Sequence, residues 1–138
     1  MKIDSIHNGI VIDHITAGKG MEIYRLLHLD ELDCSVAIIK NVASRKMGKK
    51  DIIKVDDDID IDTDVLGYVD PNVTVDIIRG GHLAEKRRVG LPTKLTNVLY
   101  CKNPRCITST EQELPHVFLL TDPEHRIYRC MYCETRAK

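Results

Sequence analysis

Tryptophan is absent from this chain and phenylalanine occurs once, so aromatic residues make up only 4% of it. The core must therefore come from Ile, Val and Leu. Base stacking on interleaved aromatic side chains is not a mode of binding this composition supports. Net charge is nearly absent too, at −1 from 20 basic and 21 acidic residues. That excludes a protein whose whole surface is made for nucleic acid, while local basic clusters can still meet phosphate. No apolar run approaches the ~18 residues of a membrane span. The opening Met1-Lys2-Ile3-Asp4-Ser5 offers neither the apolar stretch nor the cleavage site of an export signal. Five cysteines are an odd number for a disulfide framework. Together these absences point to the reducing cytoplasm, where thiolates stay available to a metal.

What is present is a pattern of four cysteines near the end. Cys101 and Cys106 are spaced C-x4-C, Cys130 and Cys133 C-x2-C, with 23 residues between the pairs. Two short knuckles that each present two thiolates converge on a tetrahedral Zn2+, with Zn–S bonds of about 2.3 Å. Four protein ligands leave no open position, so the spacing predicts one structural zinc per chain and no catalytic metal. His116 and His125 lie between the pairs, but the cysteines already fill the tetrahedron, so both are read as loop residues. Cys34 is left over, and is read as a small buried residue at the start of a strand.

The 138 residues, 43% hydrophobic and 30% charged, suit one ordinary domain or two small ones. Gly9 to Ile15 is rich in β-branched residues and predicts a strand. A helix follows at Met21 to Leu29, with Ile23, Tyr24, Leu26, Leu27 and Leu29 as a broad buried face. Strands at Ser35 to Val42 and Asp51 to Val55 flank a basic loop, Ser44 to Lys50. Asp56 to Asp64 holds six aspartates in nine residues, yet fails as a calcium loop: Thr63 stands at the glycine position and Val69 at the closing glutamate. Its late aspartates instead favour the start of a short helix at Thr63 to Tyr68, ended by Pro71. Val73 to Ile78 and His82 to Lys86 flank Gly80-Gly81, a hairpin signal. The order β-α-β-β-α-β-β fits an α+β fold of split β-α-β type, an antiparallel sheet with two helices on one face. Gly90-Leu91-Pro92 marks a linker, and a small zinc-ribbon-like module follows from Asn97. About 40 residues cannot cohere by apolar burial alone, so the metal must supply the shortfall.

Three features of the first part suit a nucleotide: the carboxylate and imidazole of Asp13-His14, Lys54 among apolar neighbours on a strand, and Lys86 on the last hairpin. Each is equally at home as a solvated surface residue. A longer set of motifs carries more weight. It runs G-x-V-I-D-H at Gly9 to His14, M-G-K-K-D-x-I-K at Met47 to Lys54, and P-x-x-T-V at Pro71 to Val75. It continues with Lys86, Leu91-Pro92 and Asn97-Val98-Leu99, then C-x-N-x-x-C at Cys101 to Cys106 and C-x-Y-C-E at Cys130 to Glu134. In order and spacing, nearly end to end, the chain resembles the regulatory chains of aspartate carbamoyltransferase.

The resemblance implies a non-catalytic subunit acting in pyrimidine biosynthesis. A ferredoxin-like allosteric domain would span residues 1–92, and a zinc domain contacting the catalytic chain residues 97–138. CTP, ATP and UTP (the last together with CTP) would be its effectors. Carried over by position, Asp13 and His14 meet the base or ribose, and Ile6 and Val11 line the pocket. Lys54 and Lys86 take ribose and phosphate contacts, and Lys50 assists. Homodimers would form through the allosteric domain, and Asn103 and Glu134 would lie at the grip on catalytic chains. Three departures stand out. Asp76 replaces an asparagine facing the base, Gly81 replaces a larger residue, and Arg105 occupies a position at the catalytic-chain grip that is elsewhere small and polar. A zinc-ribbon nucleic-acid-binding protein is the competing reading, on Arg105, Arg126, Arg129 and the basic loop. The net charge and the missing aromatics stand against it. Nothing in the chain resembles a carbamoyl-phosphate loop, which stands against a catalytic chain.

Overall fold

The computed structural model describes residues 6–137. The Met1–Ser5 segment, read above for export signals, lies outside them. The chain forms two compact units, Met1–Gly90 and Leu91–Lys138.

In the first unit the expected element order is the observed one. Strand β1 (Gly9–Thr16) leads to helix α1 (Gly20–Leu26), then β2 (Val36–Ser44), β3 (Gly48–Val55), α2 (Thr63–Val69), β4 (Thr74–Arg79) and β5 (His82–Arg88). The strands make one sheet in the order β2-β3-β1-β4-β5, every pair antiparallel. Alternation sends Ile10, Ile12, Ile53, Val55, Val75 and Ile77 to one face, where they form a single core with Ile23, Leu66 and Val69 of the helices. The other face carries Val11, Asp13, Lys54 and Asp76.

Several local features depart from the expected ones. Helix α1 stops at Leu26 because His28 takes a left-handed backbone (φ 55°). A 3-10 turn, Leu29–Glu31, then brings Leu29 into the core, while Leu26 is left 44% exposed. The basic segment Ser44 to Lys50 is not a loop: Ser44 ends β2, Gly48 starts β3 with φ 78°, and only a tight turn separates them. Cys34 is half-buried in a bend ahead of β2. Helix α2 begins where the aspartates favoured it, with the Asp62 side chain accepting from Asp64 N and Val65 N at 3.0 and 3.3 Å. It ends at Asp70, which is extended, as a residue before proline must be. In the β4–β5 turn Gly80 and Gly81 both have positive φ, which a two-residue hairpin of this kind requires. The glycine at 81 is therefore a backbone necessity.

Two β-bulges sit opposite one stretch of β3. On β1, Asp13 and His14 occupy the space between the Ile12↔Ile53 and Ile15↔Asp51 pairs; on β2, Lys40 and Asn41 lie between Ile39↔Ile52 and Val42↔Lys50. Asp51, fully buried, closes the region from within. Its Oδ1 accepts from Asn41 N and its Oδ2 from Gly18 N and Gly20 N, each at 3.0 Å. A Cβ on Gly20 would stand 2.9 Å from that Oδ2, so glycine is needed there.

In the second unit β6 (Lys94–Thr96), β7 (Val117–Asp122) and β8 (Ile127–Cys130) form an antiparallel sheet in that order, with a one-turn helix α3 (Ile107–Thr110). Leu95, Phe118 and Tyr128 are its buried centre. Strand β6 was not anticipated, because only Leu95 of its three residues is apolar. Among the described residues no helix is long and apolar enough to cross a membrane.

Removing the Asp51 carboxylate orphans three backbone N–H groups. Asp51→Ala is expected to destabilise the first unit by about 3 kcal/mol or more, read as a lower urea midpoint of its transition. A loss under about 1 kcal/mol would show that water or other groups satisfy those donors.

Candidate metal centre and polar sheet face

The four cysteine sulfurs come together. Cys101 Sγ lies 3.5 Å from Cys133 Sγ and Cys106 Sγ 3.8 Å from Cys130 Sγ, and all four sulfurs lie within 4.8 Å of one another. A tetrahedron with metal–sulfur bonds of about 2.3 Å has edges of about 3.8 Å, so the donor set fits such an ion. Local chemistry shapes each knuckle. Asn103 Oδ1 accepts from Arg105 N at 3.0 Å, and Cys106 N donates to Asn103 O at 3.0 Å, folding the first pair into a turn. In the second, Glu134 N donates to Cys130 O at 2.9 Å, and Glu134 itself takes φ 64°.

The sulfurs differ in how readily they lose a proton. Burial pushes the Cys101 thiol up to about 12 and lifts Cys130 as well, whereas the Thr135 hydroxyl, 3.2 Å from Cys133 Sγ, draws that thiol down to about 6. A divalent cation at the centre would displace the remaining protons and offset the charge of four thiolates set this close. The Thr108 hydroxyl donates to Cys106 Sγ at 3.1 Å and spreads the sulfur charge.

His116 has a part that the sequence did not reveal. Its Nδ1 accepts from Cys101 N at 3.2 Å, and its ring meets Tyr100 edge to face with centroids 4.9 Å apart. It thus orients the first ligand without being one. His125 pairs with Asp122 at 2.8 Å on the surface. A cavity of about 470 Å³ adjoins the cysteines, lined by Val98 to Asn103, Phe118 and Thr135 to Ala137. Asn103 borders it, its amide donating to Thr135 Oγ1 at 3.2 Å, while Arg105 and Glu134 are exposed.

In the first unit the strand register sets five residues in a row across the sheet: Ala37, Lys54, Val11, Asp76 and Lys86. Beside Val11 on β1, Asp13 faces Thr74 and Arg88 across β4 and β5. The β1 bulge turns Asp13 and His14 away from the core together, because Ile12 and Ile15 both point inward. Lys50 Nζ reaches Asp13 Oδ1 at 2.9 Å, and His14 Nδ1 meets Thr74 Oγ1 at 2.9 Å. Burial alone would raise the Asp13 carboxyl; the Lys50 ammonium and the His14 backbone N–H outweigh it and hold the group below its ordinary value. The structure therefore brings Val11, Asp13, His14, Lys50, Lys54, Asp76 and Lys86 onto one face. Ile6 is buried beyond the start of β1, next to His7, whose carbonyl accepts from Gly81 N at 2.8 Å. A cavity of about 290 Å³ is lined by His14, Lys46, Thr74, Lys86 and Arg88 with the Pro71–Val73 segment. Lys46 and Arg88 were not singled out in the sequence. Only the β2–β3 turn and the β4–β5 register carry them here.

A family model described as aspartate carbamoyltransferase regulatory chain, allosteric domain, matches residues 1–90, and one for that chain's metal binding domain matches residues 93–138. The chain belongs to the aspartate carbamoyltransferase regulatory-chain family. Regulatory chains of that name from Clostridium botulinum (strain Hall) and Clostridium tetani are each 51% identical to it, over 97% of this chain and 92% and 94% of theirs. The one from Bifidobacterium longum is 44% identical over 100% of this chain and 99% of its own. Members of this family are the non-catalytic subunit of aspartate carbamoyltransferase, so the polar face lies in an allosteric domain and the four cysteines in a metal-binding domain. The family's metal-binding model covers the whole cysteine cluster, and the nucleic-acid reading loses its main support.

Stripping the metal with a chelator is expected to abolish the ordered signal of residues 91–138 and expose them to protease, while the first unit keeps its sheet. Unchanged circular dichroism and protease resistance after verified metal loss would overturn this.

Proposed function

We propose that this chain is the allosteric subunit through which CTP, ATP and UTP control an aspartate carbamoyltransferase catalytic chain in the cytoplasm, within pyrimidine biosynthesis. The observation that carries the reading is the row Lys54–Val11–Asp76–Lys86 beside the Asp13–Lys50 pair, all in the unit that matches the allosteric domain. Ammonium groups on rigid strands are good point charges for phosphate. Asp13 and His14 supply acceptor and donor for ribose or base, with Val11 as an apolar wall, and Ile6 is assigned to the same pocket. Residues 1–92 are assigned to effector binding and to a homodimer of regulatory chains.

Zinc is the metal this reading assigns to Cys101, Cys106, Cys130 and Cys133. Four thiolates at tetrahedral spacing favour it among divalent ions. The zinc fixes the knuckles, so that residues 97–138 present Asn103, Arg105 and Glu134 to the catalytic chain. Exposed apolar side chains of the same unit support a docking role: Tyr100 is 61% exposed, Ile107 50% and Met131 45%. The chain performs no chemistry of its own. Nucleotide binding biases the regulatory dimer between two arrangements, and the zinc domains pass that bias on. A coupling of about 1–3 kcal/mol suffices to change substrate affinity from severalfold to about a hundredfold.

Calorimetric titration of the zinc-loaded chain with CTP, with ATP, and with UTP plus Mg2+ tests the effector site. Saturable micromolar binding that is lost in Lys86→Ala is expected; no heat with any of the three would overturn the assignment. Cys130→Ala should release active but nucleotide-insensitive catalytic trimers, seen by gel filtration of the mixed subunits. Assembly that persists without zinc would count against the docking role.

A further inference from the structure

Asp76 lies mid-strand in β4, between Val11 of β1 and Lys86 of β5. Its Oδ1 is buried and, among the described residues, has no hydrogen-bond partner. Nor does its carboxylate form an ion pair with any of them. The charged groups that face it come from three strands: Asp13 and His14 from β1, Lys50 and Lys54 from β3, and Lys86 and Arg88 from β5. Lys50 is already held by Asp13 at 2.9 Å, and His14 is turned to Thr74 at 2.9 Å. That leaves Lys86 as the chief counterweight. Burial lifts the Asp76 carboxyl above its ordinary range; Lys86 opposes this, Asp13 adds to it, and His14 and Lys50 pull the other way.

Lys86 has a second role, because it also lines the cavity shared with His14, Lys46 and Arg88. Thr74 lines that cavity too, and Asp76 is the next residue on the same face of β4, about 7 Å further along. An anionic group seated in the cavity takes the Lys86 ammonium as its own counterion. It also places negative charge within Coulomb reach of Asp76. Both changes disfavour the carboxylate.

We infer that nucleotide binding to this chain is linked to proton uptake by Asp76, so that its phosphate-bearing effectors bind more tightly as the pH falls. The proton comes from solvent and settles on the Asp76 carboxyl. The neutral acid can then donate a hydrogen bond where the carboxylate only accepts. Linkage fixes the sign. A ligand that raises the carboxyl's pKa binds the protonated protein more tightly, and its affinity falls as pH rises from the free-state pKa to the bound-state one. This inference rests on the effector-site reading above. The opposite role, a fixed anionic acceptor for a ligand N–H or O–H, requires the ionised form and predicts the reverse.

The test is calorimetry of CTP binding to the full, zinc-loaded chain and to Asp76→Asn, at about pH 6 and about pH 8, in two buffers of different ionisation enthalpy. Proton uptake by the CTP phosphates is common to both proteins, so the difference between them reports position 76. Wild type should take up more protons than the variant, by a fraction of one per site. Asp76→Asn should bind about tenfold tighter at the higher pH, with a flatter pH dependence. Asp76→Ala should show the same two shifts, since neither replacement can take up the proton. Equal proton uptake in wild type and variants, or weaker binding by Asp76→Asn, overturns this inference alone. Absence of binding by CTP, ATP and UTP to every protein removes the effector-site reading, and this inference with it.

Discussion

The Asp51 carboxylate, fully enclosed, gathers backbone N–H groups from Gly18, Gly20 and Asn41, and each belongs to a different irregularity of the chain. Asn41 lies in the β2 bulge, Gly18 in the loop leaving β1, and Gly20 at the start of α1. A buried charge is tolerable only with its lone pairs occupied, and here the backbone occupies them. Lys50 precedes Asp51 on β3, so its ammonium is delivered to the opposite face, where Asp13 receives it. One carboxylate thus sets the backbone that exposes another. Asp70 repeats the device nearby, accepting from Thr16 N at 2.6 Å and Asn72 N at 3.1 Å, so the segment leading from α2 to β4 is tied to the end of β1.

The two units are held by different physics. The first has a continuous core of Ile, Val and Leu beneath its sheet. The second has a few large side chains, Leu95, Phe118 and Tyr128 among them, and four sulfurs. Tyr128 donates its hydroxyl proton to Pro92 O, and Tyr132 donates to Pro115 O at 3.0 Å, so even its aromatic residues act partly through polar tips. With so little apolar area, this unit leans on those polar contacts, and its four cysteines lie inside the region matched by the family's metal binding domain.

Much of this was legible in the sequence, for physical reasons that can be named. Richness in β-branched residues announced β1, the glycine pair announced the last hairpin, and the cysteine spacing announced the metal centre. Those signals are local. The bulges, which decide that Asp13 and His14 face the same way, arise from pairing with β3 and leave no mark in β1 itself. Asp51 read as the polar start of a strand, because its three partners lie 10 to 33 residues away. His116 read as a loop residue for the same reason: its link to Cys101 spans 15 residues. The end of α1 was misjudged because leucines at 26, 27 and 29 mimic a buried helical face, and a left-handed residue at His28 diverts the chain first.

The strand order has a consequence for how the chain comes together. Strands β2 and β3 are joined by a tight turn, as are β4 and β5, so each pair forms from near neighbours in sequence. Strand β1 has no such neighbour: Ile12 waits for Ile53 on one side and Val75 on the other. During synthesis the N-terminal strand emerges first, yet its second flank does not exist until most of the unit has been made. Closing these long loops is the slow entropic step. The apolar side of β1 stays uncovered meanwhile, and the nascent chain is most open to wrong partners along its oldest segment.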